Sequence, residues 1–450
     1  MPYVELERDW ASVADIRPFR GVHYNQLLIK DLSTVICSPY DIIAPPLQQE
    51  LYRRSPYNFV RLEHSRELPQ DTVMDNKYTR SAATLRQWLK QGILKVDEVP
   101  AIYLHDHYFT YQGREYKRRG IIACVRLEDW DKMVVRPHEG TLAEPKGDRL
   151  SLLWACQSNT SPILALFEDQ GQQVSSVLAA QERNKPVISS SSAGGERHNV
   201  WAITEPEAIN QISRSLAHQP LYIADGHHRY ESALVYQREK RVCASSESGD
   251  EAFNFVLTEL VDFSDAGLII LPPHRLVRGI SKSILDELMA KLKSFFEIEE
   301  LPLNMPDVWQ KVDDLLTGSE ANLVRLILFG LDLERLFVLK LREFTAVSRM
   351  IPYFHSELYK KLDIDIVDNV ILEKLLGVGS GQEEAILGYC YDRLEAVNRV
   401  LDGEYQLAFL LSPVKAEVIK AIADAGDKMS RKSTYFYPKV PAGLVFSRLV

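Results

Sequence analysis

The sequence has few cysteines, no long apolar run and no excess of positive charge. Its five cysteines lie far apart and form no Cys-x-x-Cys pair, which argues against a disulfide framework or a cysteine-based zinc module and is typical of reduced thiols in a cytoplasm. No run approaches the roughly 20 apolar residues that a membrane span needs. The charged start, MPYVELERDWASV, has no apolar signal region. We therefore expect a cytoplasmic protein without membrane contact.

The charge balance and length limit the kinds of partner and the number of domains. There are 53 Lys and Arg residues against 62 Asp and Glu residues, a formal net charge of −9, and the basic runs are short, so we expect no nucleic-acid partner. The apolar fraction of 46% and the charged fraction of 26% are typical of globular proteins. At 450 residues the chain is too long for one ordinary core and predicts two or three domains.

Hydrophobic periodicity predicts a mixed α/β (α+β) chain. Tyr78–Lys90 is expected to form an amphipathic helix, and alternating runs around Gln112–Gly113 predict a β-hairpin. The Ser-rich stretch SSSSAGGER, from Ser189, is expected to be an exposed loop. Further predicted strands are SPILALFED, HNVWAIT, PLYIAD, FNFVLTELV and LIILP, with helices in EPEAINQISRSLA and RYESALVYQREK and a second hairpin in LVRLILFGLDLERLFVLKL.

This pattern divides the chain into three segments. We expect an N-terminal α+β segment over residues 1–100, a core over residues 101–280 that carries the two polar motifs described next, and a C-terminal α+β domain over residues 281–450.

The first polar motif is LYIADGHHRYES, residues 221–232, where a predicted strand stops at Asp225-Gly226 and a helix begins near His227. A helix start has backbone N–H groups without intrahelical partners and the positive end of the helix dipole, so an anion can bind there. Arg229 lies in the first turn and can grip two phosphate oxygens. The alternative is a surface Asp-Gly turn followed by a His-rich helix cap.

The second motif is VVRPHEGTLAEPKGDRL, which mixes one possible base with several cations. Phosphoryl transfer needs such a set, with a Glu to take a hydroxyl proton and Lys or Arg to neutralise phosphate oxygens. The alternative is a solvated charged loop. The charged or titratable residues of this segment are Arg136, His138, Glu139, Glu144, Lys146, Asp148 and Arg149.

Other site signatures are weak or absent. His105 and His107 share one face of a predicted strand and could bind a metal, but the spacing implies no third ligand, and we predict exposed strand histidines instead. The sequence therefore does not identify a metal for any site. There is no His-Glu-x-x-His, no Gly-x-Ser-x-Gly, no P-loop and no kinase signature set.

The segment IADGHHRYESAL resembles the phosphate-binding motif of the ParB and sulfiredoxin superfamily, in which a Gly-x-x-Arg turn leads a helix and holds nucleotide phosphates. The version most like it is that of the free L-serine kinases, with Asp-Gly-His-His-Arg. Those kinases also have an upstream Pro-His-Glu motif, whose Glu is thought to deprotonate the serine hydroxyl. Here Pro137-His138-Glu139 stands upstream, with Asp225 following Glu139 by 86 positions, a longer interval than in the small serine kinases.

The whole chain also resembles a prokaryotic family known as domain of unknown function 1015. The segments that carry this likeness are RPFRGVHYN, SPYDII, NFVRLE, PHEGT with KGDRL, SPI, LYIADGHHRYESAL, LPPHRLV and KSTYFYPK. Together the two resemblances imply a ParB/sulfiredoxin-like nucleotide-binding core elaborated by N-terminal and C-terminal α+β units. Family likeness also suggests that the loops DIRPFRGVHYN and SPYDII reach over the central site as specificity elements.

The resemblance implies a role for each motif residue. Gly226, His227, His228 and Arg229 would cradle nucleotide phosphates, with His228 also counted among the catalytic residues. Glu139 would act as general base, and Asp225 would contact the substrate or the metal. His138, Lys146 and Arg149 would be secondary contacts.

The implied function is a nucleotide-dependent kinase that interconverts free serine and phosphoserine. It would use ATP or ADP, with Mg²⁺ expected to complete charge neutralisation. Two alternatives stay open. One is a phosphoserine phosphatase or nucleotide hydrolase that uses water as acceptor. The other is a nucleotide-responsive binding protein without turnover.

Overall fold

The computed structural model describes residues 14–243, 248–318, 324–379 and 381–450. The strands, in chain order, are β1 (Ile16–Arg17), β2 (Val22–Tyr24), β3 (Leu94–Val96), β4 (Ile102–Tyr111), β5 (Arg114–Arg126), β6 (Val135–Arg136), β7 (Ser158–Asn159), β8 (Ile163–Phe167), β9 (Ile188–Ser191), β10 (Arg197–Ile203), β11 (Leu221–Asp225), β12 (Phe255–Asp262), β13 (Ile269–Leu271), β14 (His274–Val277), β15 (Phe296–Pro302), β16 (Arg325–Phe329), β17 (Arg335–Leu341), β18 (Leu387–Cys390), β19 (Leu407–Leu410), β20 (Tyr435–Tyr437) and β21 (Ser447–Arg448).

The α-helices, in chain order, are α1 (Pro45–Arg54), α2 (Val60–Glu63), α3 (Lys77–Lys90), α4 (Ala143–Cys156), α5 (Gln173–Gln181), α6 (Pro206–Ala217), α7 (His227–Cys243), α8 (Lys282–Lys293), α9 (Val308–Thr317), α10 (Phe344–Ser348), α11 (Asp363–Ile366), α12 (Glu383–Ile386), α13 (Arg393–Leu401) and α14 (Ala416–Asp424). A π-helical segment, Val367–Leu375, follows α11. No helix in the described part of the chain combines the length and apolar character needed to cross a membrane.

The chain forms two compact units. The first contains the residues up to Pro137, Thr141–Ile269 and Pro438–Val450, and the second contains His138–Gly140 and Ile270–Tyr437.

The first unit is built on a nine-stranded mixed sheet. Eight strands follow the order β6-β11-β8-β12-β5-β4-β10-β9, and β1 pairs with the end of β5. β11 runs parallel to β6 and antiparallel to β8. Successive side chains point to opposite faces of a strand, so Ile121 and Ile122 enter two different buried apolar clusters. The sheet is therefore covered on both faces, and its strands are rich in apolar residues.

The second unit is built on a six-stranded antiparallel sheet in the order β15-β17-β16-β19-β14-β18. Here too the strands contribute to two clusters: Leu326 and Leu328 pack into one, and Ile327 and Phe329 into the other. Both faces of this sheet are covered by apolar side chains.

The mixed α/β class is confirmed, and so are the elements with strong local signals. The helix predicted for Tyr78–Lys90 is α3, whose Asn76 side chain caps the helix by accepting from the Tyr78 and Thr79 amides. The first predicted hairpin is β4–β5, with Gln112 and Gly113 at φ of 49° and 74°, as a two-residue turn requires. The second is β16–β17.

The predicted N-terminal segment contributes to the central sheet and its core, because β1 pairs with β5 and side chains such as Phe59 and Leu85 share a core with Ile122 of β5. One sequence-based prediction is corrected. The Ser-rich stretch from Ser189 is not a loop throughout. Its first residues belong to β9, which pairs with β10.

Candidate functional site

A single glycine links β11 to α7. Gly226 has φ of +96°, and a Cβ at this position would lie 2.9–3.0 Å from guanidinium atoms of Arg229. Both the left-handed backbone and the close approach of Arg229 require glycine. The helix start predicted near His227 is confirmed, since α7 begins at that residue.

Asp225, the last residue of β11, lies between two cations. Its Oδ2 accepts from Nη2 of Arg229 at 2.5 Å, and its Oδ1 accepts from the Lys439 ammonium. Burial alone would raise the pKa of Asp225, but attraction to Lys439 and Arg229 outweighs burial and holds the pKa well below its usual range. Asp225 is therefore a charged, immobilised carboxylate.

Lys439 also faces a second carboxylate. Its Nζ lies 3.8 Å from Oδ2 of Asp41, in the segment SPYDII. Burial raises the pKa of Asp41, and the charge of Asp225 adds to this effect, while Lys439 opposes it. Asp225 is consequently the carboxylate that Lys439 chiefly neutralises.

Arg229 turns back over the start of its own helix. Nη1 donates to the Pro162 carbonyl and lies 3.4 Å from the Ser161 hydroxyl, so both terminal nitrogens have protein partners. The buried Nε has no hydrogen-bond partner in the part of the chain that the structure describes. An unpaired buried donor is unusual in a folded protein and points to a missing acceptor.

Arg149 lines the same small pocket as Arg229, together with the polar segment Ser158–Ser161. Its guanidinium donates to the Glu63 carbonyl at 3.0 Å and to Asp148 at 2.5 Å, and it lies 3.9 Å from the centre of the Tyr40 ring. Burial lowers the pKa of Arg149, but Glu63 and Asp148 outweigh burial and raise it. Arg149 is a fixed cation held by carboxylates.

Glu63 is a fully buried carboxylate at the centre of this network. Besides the contact with Arg149, it accepts from the hydroxyls of Thr160 at 2.6 Å and Ser161 at 2.9 Å. Since Ser161 also lies near Arg229, the network couples both arginines to one loop.

The segment after the Pro-His-Glu motif is tied to the start of α7. The Leu142 amide donates to Nε2 of His228 at 3.0 Å, which places the proton of a neutral His228 on Nδ1. Lys146 lies 2.9 Å from Glu231, whose carboxylate also accepts from the Thr141 hydroxyl at 2.6 Å. Lys146 of α4 thus pairs with a residue of α7, and His228 of α7 accepts from the residue that precedes α4.

His138 and Glu139 of the Pro-His-Glu motif belong to the second unit. Oε1 of Glu139 accepts from the Ser433 amide at 3.0 Å, the Thr434 amide at 3.1 Å and the Thr434 hydroxyl at 3.0 Å. The buried His138 places Nε2 2.9 Å from the same hydroxyl. If the hydroxyl donates to Glu139, it must accept from His138, which fixes the proton of neutral His138 on Nε2.

With these positions established, the sequence can be compared with known families. Residues 16–364, more than three quarters of the chain, match the family described as "Protein of unknown function (DUF1015)". The chain belongs to this DUF1015 family. The membership predicted from the motifs is thereby confirmed, and no curated protein matches the chain.

The following solved structures resemble this DUF1015 protein but share little sequence identity with it. A conserved hypothetical protein from Pyrococcus furiosus is 14% identical, with a TM-score of 0.36, over 73% of this chain and 95% of that one. A free serine kinase in complex with AMP is 14% identical, with a TM-score of 0.35, over 72% and 92%. SbnI from Staphylococcus aureus, truncated at its C-terminus, is 9% identical, with a TM-score of 0.32, over 72% and 85%. Likeness at this level carries no ligand or activity over to the DUF1015 chain.

Three residues of the site escaped sequence reasoning: Asp41, Glu63 and Lys439. Each stands in a segment that carries the family likeness, namely SPYDII, NFVRLE and KSTYFYPK. The family likeness of these segments is the sequence feature that could have identified the three residues. The contacts themselves were not predictable, because Lys439 follows Asp225 by 214 positions.

The prediction that His105 and His107 of this DUF1015 protein are exposed is wrong. β4 lies between β5 and β10 in the covered sheet, and both side chains are fully buried. Likewise, Lys146 and Arg149 lie on helix α4 and not in a charged loop. Pro145 is compatible with this helix because it stands in the first turn, where no intrahelical N–H bond is lost.

Proposed function

We propose that this DUF1015 protein is a small-molecule kinase that passes a phosphoryl group between a nucleotide and the hydroxyl of free serine, in either direction. The observation that carries the proposal is the unpaired, buried Nε of Arg229 at the start of α7. The five free cysteines are in keeping with a cytosolic location.

The phosphate side of the proposal rests on charge and geometry. α7 has 17 residues, so its start offers N–H groups without intrahelical partners and the positive end of a long helix dipole. Arg229 and Lys439 add two cations, against the one strongly ionised carboxylate of Asp225. The local balance favours an anion, and the cradle comprises Gly226, His227, His228 and Arg229.

Mg²⁺ is expected to accompany the nucleotide and to neutralise charge that develops on its phosphate oxygens. Asp225 offers little to this ion, because both of its oxygens already accept from cations. We therefore assign Mg²⁺ to the nucleotide phosphates and give Asp225 the role of fixing Arg229 and Lys439.

The general base of the proposal is Glu139, as the family resemblance implies. It would take the proton of the serine hydroxyl while the new oxygen–phosphorus bond forms and the bond to the nucleotide breaks. Three hydrogen bonds to Oε1 hold its carboxylate in one orientation. Such fixation suits a base that must meet one particular hydroxyl.

Nucleotide calorimetry tests the cradle. We expect ATP or ADP to bind the intact protein, and Arg229→Ala to weaken binding roughly 10- to 100-fold through loss of a charge-assisted contact. Arg238→Ala is the matched control, since Arg238 lies on α7 but is exposed and pairs only with Asp129 in the described contacts. Equal affinities for the intact protein and the Arg229→Ala variant would refute the cradle.

A further inference from the structure

A second polar cluster lies on the paired strands β4 and β10. His107 is the register partner of His198, and their ring centroids lie 4.1 Å apart. Glu196 precedes β10 and reaches the same place, with Oε2 3.4 Å from Nε2 of His107 and 3.9 Å from Nε2 of His198. Two imidazoles and a carboxylate thus converge on one point at the edge of a buried sheet.

We propose that His107, Glu196 and His198 bind a divalent transition-metal ion, with Zn²⁺ as the best match. Their ligand atoms all lie within 4.8 Å of one another, and no other such group of three occurs among the described residues. Ligands at 2.0–2.1 Å from a tetrahedral zinc lie about 3.3 Å apart. Both contacts of Glu196 are within about 0.6 Å of that spacing, so small side-chain rotations complete the site.

The donor set selects the kind of metal. Imidazole nitrogen suits Zn²⁺, Cu²⁺, Ni²⁺ and Fe²⁺, whereas Mg²⁺ and Ca²⁺ require oxygen ligands throughout. Two histidines and one carboxylate are also the protein ligands of zinc sites that keep a fourth position open.

His105 orients one of the ligands. Its Nδ1 lies 3.1 Å from the buried carboxylate of Glu259, and its Nε2 lies 3.1 Å from Nδ1 of His198. If His105 donates to Glu259, then His198 must donate to His105, which leaves the Nε2 lone pair of His198 facing Glu196. A carboxylate behind a metal-binding histidine is the usual means of fixing its tautomer.

The electrostatics of the cluster permit a cation. Glu259 and Glu196 supply two negative charges against the one positive charge of Arg118.

Arg118 is the group that opposes the metal. Its Nη2 lies 3.3 Å from Nδ1 of His107, and donation there places the ring proton on Nε2, toward Glu196. Metal binding at Nε2 requires the ring proton to move to Nδ1, so Arg118 must then turn its N–H away from Nδ1.

The cluster also has a path to solvent. The Glu196 side chain is 43% exposed, and it lines a cleft of about 180 Å³ together with Tyr108, Phe109 and Ser191. Glu196 therefore connects the two buried imidazoles with an open cleft.

Metal titration of the intact protein after chelator treatment tests the proposal. We expect one equivalent of Zn²⁺ or Co²⁺ to bind, with visible Co²⁺ bands of a four- or five-coordinate site, and neither Mg²⁺ nor Ca²⁺ to compete. Zinc X-ray absorption should show nitrogen and oxygen at 2.0–2.1 Å. Absence of stoichiometric binding, or a sulfur shell at about 2.3 Å from cysteine, overturns the proposal.

Variants locate the ion. We expect His198→Gln and Glu196→Gln each to lower Zn²⁺ affinity at least 10-fold, and His105→Gln, a positioning change, to lower it 10- to 100-fold. His218→Gln, at an exposed position after α6, is the control and should leave affinity unchanged. Retained affinity in both the His198 and Glu196 variants overturns the site, and the absorption spectrum of the unaltered protein decides the question if a variant fails to fold.

Discussion

Lys439 and Arg229 donate to different oxygens of the same carboxylate, that of Asp225. Arg229 follows Asp225 by four positions and Lys439 by 214. The strand–glycine–helix turn is thus tied at once to its own helix and to the last segment of the chain. This pairing gives the proposed phosphate site its shape.

Gly226→Ala should weaken both folding and nucleotide binding. The substitution places a Cβ at positive φ and within 3.0 Å of the Arg229 guanidinium, so we expect a loss of roughly 2–3 kcal/mol in the free energy of unfolding, measured with urea. Gly113→Ala is a matched control, because Gly113 also has positive φ but open space around its Cβ. This control should lower the free energy of unfolding by about 1 kcal/mol and leave nucleotide affinity unchanged. Equal effects of the two substitutions would contradict the close approach of Arg229.

Lys439→Met should destabilise the first unit at neutral pH by about 1–3 kcal/mol, since it removes one cation from a buried carboxylate that keeps Arg229. The pKa of Asp225 is lowered in the folded state, so the stability it contributes is present above the unfolded pKa, near 3.8, and is lost as the pH falls below it. The difference in the free energy of unfolding between the unaltered protein and the Lys439→Met variant, measured with urea, should therefore become smaller below about pH 4. Lys30→Met, at an exposed lysine, is the control. A difference that does not change with pH would show that Lys439 acts through packing alone.

Glu139→Gln should leave the fold and nucleotide affinity intact while turnover falls by roughly 10²–10⁴-fold. The amide oxygen of Gln can still accept from the Ser433 and Thr434 amides, so the local structure is kept. Thr434→Val is the comparison, because it removes only the hydroxyl that orients Glu139, and its loss of turnover should be smaller. Full turnover in the Glu139 variant would remove this residue from the mechanism.

Asp365→Asn should make the second unit more stable at alkaline pH. Burial raises the pKa of Asp365 to about 7, against the hydrogen bonds from Ser430, and its Oδ2 has no partner in the described chain. The unfolded carboxyl, near pKa 3.8, loses its proton earlier, so stability falls as the pH rises from about 4 to 7.

Urea midpoints between pH 4 and pH 8 check this prediction. We expect the Asp365→Asn variant to lack this loss of stability with rising pH. At pH 8 its free energy of unfolding should exceed that of the unaltered protein by on the order of 1–3 kcal/mol. Asp402→Asn, at an exposed position, is the control. If the urea midpoint of the variant falls with pH as steeply as that of the unaltered protein, another titratable group causes the loss of stability.

Local signals explain why part of the fold was predictable. A few consecutive residues encode each of three features: the capping pattern of α3, the turn of the β4–β5 hairpin and the glycine before α7. α4 was missed because Pro145 and Gly147 suggest a loop, although proline is tolerated in a first helical turn. The pairing of β1 with β5 was not predictable in this way, because it joins strands that lie far apart in the sequence.

In the candidate site, too, residues close together in the sequence were predictable and long-range contacts were not. Asp225, Gly226 and Arg229 are adjacent in sequence and were predicted as a group. Only the family likeness of its segment distinguished Lys439, since no spacing rule joins positions so far apart. Burial of His107 depends on the strands beside it, and the partnership with His198 depends on sheet register, which single-sequence patterns do not define.

Phosphorus NMR of the purified protein with Mg²⁺ tests the central claim most directly, with ATP or ADP plus serine, and separately with phosphoserine in the presence and absence of AMP or ADP. The account predicts interconversion of serine and phosphoserine that requires the nucleotide and is lost in the Glu139→Gln variant. Release of free phosphate from phosphoserine without nucleotide, or no turnover in any mixture, would contradict it.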